Sequence, residues 1–172
     1  NFSGLLQKII TNKMSIFEWE NFIELKKTIN DKLQNNEIII DPLIIYYLFD
    51  DLKIQSNNSK NYIKNNFKDC DKIIFSNKKI ENKKIKIGYF SGDFYNHPVS
   101  FSLAYLLELH DKSKFELIGF SFGPDDHNDK MRKRVSSAFD QFINVNFKND
   151  KEIALLSRDF KIDIAVDLMG FT

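Results

Sequence analysis

Ile85-Lys86-Ile87-Gly88-Tyr89-Phe90-Ser91-Gly92-Asp93-Phe94-Tyr95-Asn96-His97-Pro98 is the stretch on which the fold turns. A short apolar run closes on a glycine and a cluster of polar side chains. A proline then opens a segment in which Val99, Leu103, Leu106 and Leu107 recur at helical spacing. The reading is strand, turn, helix, with Pro98 in the first helical turn, where its missing N–H is no loss. The rhythm continues downstream: residues 115–122 read as a strand, 128–139 as a helix, 141–145 as a short strand and 150–160 as a helix. Residues 162–168, rich in β-branched side chains, are expected to form a strand buried on both faces. Strands alternating with helices of this length predict parallel βαβ units with right-handed crossovers.

Upstream the period is different. From Leu5 to Phe67 apolar residues recur at three and four, as in Phe22, Leu25, Ile29 and Leu33, which predicts amphipathic helices. Asp41-Pro42 reads as a helix start, Asp41 as N-cap and Pro42 at the first helical position, and a further helix is expected over residues 59–67. Residues 71–84 are polar and lysine-rich. The expected organisation is a helical segment over 1–70, a linker over 71–84 and a parallel α/β portion over 85–172.

Composition narrows the function classes. The 172 residues hold 42% hydrophobic and 28% charged side chains, which disfavours disordered and low-complexity readings. Twenty-five Lys and Arg against twenty-four Asp and Glu leave a formal charge of +1, too balanced for an electrostatic nucleic-acid binder. Apolar runs such as 43–49 fall far short of the ~20 residues of a membrane helix, so no membrane partner is expected. The single cysteine, Cys70, cannot form an internal disulfide, and His97, His110 and His127 lie too far apart for zinc-ligand spacing. A reducing, cytoplasmic setting follows. The chain opens on Asn1 rather than Met, which raises the expectation of a fragment.

In an open parallel sheet ligands bind at the carboxyl ends of the strands, so the turns after Phe90, Phe122 and Leu168 are where chemistry is sought. In the first turn His97 sits at the start of a helix. The positive helix end and free N–H groups there favour an anion and a neutral imidazole. Position alone leaves His97 either a solvent-facing cap or a cleft group that handles a proton or a hydrogen bond. The second turn, Gly123-Pro124-Asp125-Asp126-His127-Asn128, has the residues any turn and N-cap require. A dinucleotide site would need G-x-G-x-x-G after the first strand and an acid about 20 residues on; here Gly92 stands alone and Asp125 lies much farther. The run Lys130, Arg132, Lys133 and Arg134 reads as a solvated helix face. In the third turn Gly170 and Thr172 could approach a ligand.

Several of these motifs together resemble one family. The run Lys86 to Phe94 followed by Asn96-His97-Pro98, then Lys114-Phe115-Glu116, Pro124-Asp125-Asp126, and Ile162 to Leu168 with Gly170 and Thr172, is similar to the O-linked N-acetylglucosamine transferases of glycosyltransferase family 41, which include the Spindly-like O-fucosyltransferases. Glu18-Trp19 with Phe22, and Pro42 through Asp50-Asp51 and Gln55, extend the resemblance upstream to about Ile16. It implies a tetratricopeptide tail followed by part of the first Rossmann-like half of a GT-B fold, the second half lying outside the chain. It further implies metal-independent, inverting transfer of a sugar from a nucleotide diphosphate, UDP-N-acetylglucosamine, to Ser or Thr hydroxyls of an acceptor protein, with no cofactor. On the resemblance His97 is the catalytic-cleft residue, as base or as positioning group, and Gly92, Asp93, Asn96, Pro98, Gly170 and Thr172 lie on the donor side. Where relatives carry a second histidine, this sequence has Arg158 or a neighbour of it. With one wall of the cleft, residues 1–172 alone are expected to be inactive. The alternative is a non-catalytic protein-interaction domain built on the same half-fold.

Overall fold

The computed structural model describes residues 2–67 and 83–171, which form two compact units. Most of the expected linker, Cys70 and Thr172 lie outside the described residues.

The first unit is helical: α1 (Phe2–Ser15), α2 (Phe22–Gln34), α3 (Pro42–Leu48) and α4 (Leu52–Asn66). Ile10, Ile29, Ile40 and Ile45 are fully buried together, with Phe22, Leu25 and Leu33 packed on them, so the three-and-four spacing is the core-facing stripe. Asp41 caps α3, its carboxylate accepting from Leu43 N at 2.9 Å, with Pro42 in the first turn. The last helix starts seven residues before the expected 59, because Asp51 accepts from Lys53 N and Ile54 N at 2.8 and 3.0 Å and caps it there. Asn58 is buried on α4 and pairs with both backbone groups of Ile40, its Oδ1 accepting from N at 3.1 Å and its Nδ2 donating to O at 2.7 Å. That amide closes a segment that has no strand partner of its own.

The second unit alternates as expected: β1 (Ile85–Ser91), α5 (Pro98–Leu109), β2 (Phe115–Ser121), α6 (Lys130–Ala138), β3 (Gln141–Asn144), α7 (Asp150–Asp159) and β4 (Ile164–Asp167). The four strands are parallel, in the order β3-β2-β1-β4. Ile87, Tyr89 and Leu117 point to one face and pack with Ala104 and Leu107 of α5 and Met131 and Val135 of α6. Ile118 and Phe120 point to the other face, where Ile153 and Leu156 of α7 cover them. Helices therefore lie on both faces, as right-handed crossovers require.

The last strand is shorter than the expected 162–168: four residues pair with β1 at the sheet edge, where Ile164, Ala165 and Asp167 are exposed and Val166 is half-buried. Its apolar composition does reflect strand pairing with β1, but among the described residues no element covers its outer side.

Candidate functional site

Strand order reverses between β1 and β4, and in open α/β sheets the crevice forms at the carboxyl ends beside such a reversal. Two turns meet there. The one after β1 carries Gly92, Asp93, Asn96, His97 and Pro98; the one after β4 carries Met169 and Gly170. Met169 joins them, its Sδ lying 3.4 Å from Gly92 N. Gly170 takes a positive φ of 57°, which suits glycine, and its N–H donates to the Asp167 carboxylate at 3.3 Å. A Cβ at Gly92 would meet the Phe122 ring at 3.4 Å and Met169 at 3.7 Å, so the space beside this glycine belongs to neighbouring side chains.

The first turn is held at every residue. Ser91 Oγ accepts from Asp93 N at 2.9 Å, Ser100 Oγ donates to Asp93 O at 2.7 Å, and Asp129 Oδ2 accepts from Asn96 N at 2.8 Å. Phe94 is fully buried beneath it. His97 is the N-cap of α5: extended backbone, and Nδ1 accepting from Val99 N at 3.3 Å. With that lone pair engaged, the neutral ring carries its proton on Nε2. The Asp93 carboxylate lies 3.6 Å from Nδ1, too far for a hydrogen bond, and the His97 side chain is 35% exposed.

This geometry corrects the expectation of free amides at the helix start. Pro98 has no N–H and the Val99 N–H is taken by His97, so the first turn of α5 offers little direct donation to an anion. The donor available there is His97 Nε2–H.

The basic run on α6 also divides. Lys130, Lys133 and Arg134 are exposed, Arg134 pairing with Glu108, but Arg132 is only 5% exposed and bonds to Asp125. The signal was available: Val135 is buried three residues later and Ala138 packs on the same core, so helical spacing turns Arg132 inward. Asp125, which reads as a plain turn residue, is held below the usual carboxylate range by the amide of Asn144 and the Arg132 guanidinium, against the opposing effect of burial. His127 is exposed beside it.

A four-stranded parallel sheet with helices on both faces places this unit among the open, Rossmann-like α/β folds. The sequence profile of glycosyl transferase family 41 matches residues 52–172, and the chain belongs to that family of glycosyltransferases. It is 31% identical over 90 residues to the probable UDP-N-acetylglucosamine–peptide N-acetylglucosaminyltransferase SEC of Arabidopsis thaliana, covering 52% of this chain and 9% of that protein. It is 32% identical over 100 residues to the corresponding probable enzyme SPINDLY of the same plant, covering 57% and 11%. A mutant O-GlcNAc transferase of Thermobaculum terrenum is similar over 50% of this chain and 16% of its own, at 34% identity and a TM-score of 0.47. The chain thus spans about a tenth of the length of the curated relatives it matches. Among the described residues no helix is long and apolar enough to cross a membrane.

Proposed function

We propose that this chain supplies one wall of the donor cleft of a cytoplasmic, inverting protein O-glycosyltransferase. The reaction moves N-acetylglucosamine from UDP to a Ser or Thr hydroxyl of an acceptor protein, without a cofactor. In this reading residues 1–70 lead into the catalytic region, 85–172 belong to the first Rossmann-like half, and a second half outside this chain closes the cleft. The family match supports the glycosyltransferase class, and the activities for which the Arabidopsis relatives are named support the donor and the acceptor.

The observation that carries the reading is the place and state of His97. In inverting transfer the acceptor oxygen attacks the anomeric carbon from the face opposite the leaving group. The bond to the diphosphate breaks, UDP departs with the electron pair, and the proton of the acceptor hydroxyl passes to an oxygen of the departing diphosphate. His97 lies in the turn at the carboxyl end of β1 and caps α5 through Nδ1, which leaves Nε2–H as the ring's donor. A ring held this way donates a hydrogen bond to an oxygen of the donor or acceptor; it does not take the hydroxyl proton at Nε2. Asp93 and Asn96 shape the turn, Pro98 sets the helix start, and Gly92, Gly170 and Thr172 are assigned to the donor side.

Transfer of radiolabelled sugar from UDP-N-acetylglucosamine by the full-length protein tests this. His97→Ala is expected to lower turnover by roughly two to three powers of ten, as loss of one preorganised hydrogen-bond donor does. His97→Gln, whose amide can place an N–H near the Nε2 position, should recover a measurable part. Wild-type turnover in the alanine variant would overturn the cleft assignment, and a glutamine variant as inactive as alanine would overturn the donor role.

A further inference from the structure

Arg132 is a buried charge in the first turn of a helix, a position unfavourable twice over. Desolvation penalises the guanidinium, and the positive helix end repels it. An apolar side chain of similar volume would fill the same space against the Phe142 ring. What distinguishes arginine is a planar fork that holds several acceptors at once.

Three donors of the fork are engaged. Nη1 donates to Phe94 O at 3.2 Å and to Ser121 Oγ at 3.1 Å, and Nη2 donates to the Asp125 carboxylate. The second oxygen of Asp125 accepts from Asn144 Nδ2 at 2.6 Å, and the guanidinium carbon lies 5.1 Å from the centre of the Phe142 ring. One side chain thereby ties the turn after β1 to the ends of β2 and β3. Three residues earlier, Asp129 caps α6 through Arg132 N at 2.8 Å and also accepts from Asn96 N. The first turn of α6 therefore grips the backbone on both sides of Tyr95, at the Phe94 carbonyl and at the Asn96 N–H. His97 is the next residue.

We propose that Arg132 is a positioning residue which, with Asp129, fixes the backbone of residues 94–96 and so sets where the His97 imidazole is held. It acts through the turn and touches no reacting group. The inference rests on the reading of His97 as a cleft residue, but its structural half stands apart from catalysis.

The test uses the full-length protein with Arg132→Met, which keeps the packing volume, and Arg132→Lys, which keeps the charge but not the fork. Hydrogen exchange of peptides covering residues 93–99 is compared with that of β1 and β2. Loss of a charge-assisted hydrogen bond on this turn is expected to raise exchange in 93–99 by roughly tenfold to a hundredfold in both variants. Exchange in β1 and β2 should stay within about threefold of wild type, and kcat should fall with a smaller change in donor KM. Unchanged exchange in 93–99 would overturn the proposal. So would a uniform rise across the unit in both variants, since that is the signature of general core support. If His97→Ala keeps wild-type turnover while the local exchange effect appears, the transferase reading has failed and the anchoring by Arg132 has not.

Discussion

Replacing Gly123 with alanine would build a Cβ 1.6 Å from the Gly92 carbonyl oxygen and 2.6 Å from its carbon. Both obstacles are backbone, so no side chain can swing aside. Restoring even a 3.0 Å contact requires the turns after β1 and β2 to part by roughly 1.4 Å. The Phe122 N–H bond to Ser91 O, 3.1 Å in the native arrangement, would not survive that displacement. Overpacking of this kind costs about 1–3 kcal/mol and the lost hydrogen bond about 1 kcal/mol more, so a loss of about 2–4 kcal/mol is expected. For a chain of this size that is a fall in Tm of roughly 5–15 °C. Two other glycines calibrate the measurement. Gly170→Ala has open space but a φ of 57°, and should cost about 1–2 kcal/mol. Gly92→Ala meets only an ordinary ring contact, without positive φ, and should cost under about 1 kcal/mol. Thermal unfolding with hydrogen exchange of β1 and β2 gives the ranking Gly123, Gly170, Gly92. A Gly123→Ala protein that unfolds at the wild-type temperature, with exchange undisturbed after β1, would refute backbone-to-backbone packing of the two turns.

Two further outcomes follow from single residues. Burial pushes the Asp140 carboxyl up, but the Leu117 N–H at 2.7 Å and the Lys112 ammonium at 3.1 Å outweigh it and hold the carboxyl below its ordinary range. A depressed folded-state value means stability that is present above the unfolded value, near pH 4, and lost as pH falls through the lower, folded one. Asp140→Asn should therefore be less stable at neutral pH and show a shallower decline on acidification; identical acid unfolding curves would contradict this. In the helical unit, Asn58→Ala strands the buried N–H and C=O of Ile40 and should cost about 2–4 kcal/mol. The fluorescence of Trp19, the single tryptophan, follows unfolding there, and an unchanged urea midpoint would show that the amide pair contributes nothing.

The elements that could be read directly from the chain are those fixed by residues a few positions apart. Asp41-Pro42 starts α3, His97-Pro98 starts α5, and the alternation of short apolar runs with amphipathic segments yields a parallel α/β unit, because caps and periodicity are local effects. The cap position of His97 was legible for the same reason. Which atom of its ring is engaged was not, since that depends on the distance to Val99 N after the turn has folded. Asp51 escapes a reading by periodicity because the residues that follow it carry few apolar side chains at helical spacing, although its cap is itself a local contact. The inward turn of Arg132 depends on a carbonyl 38 residues distant, and the need for glycine at 123 on a backbone group from another strand. The apolar run ending in β4 looks the same in sequence whether a strand is central or at an edge. Strand order is set by hydrogen bonding between segments far apart in the chain, and it is that order which places β4 beside β1 rather than beside β3.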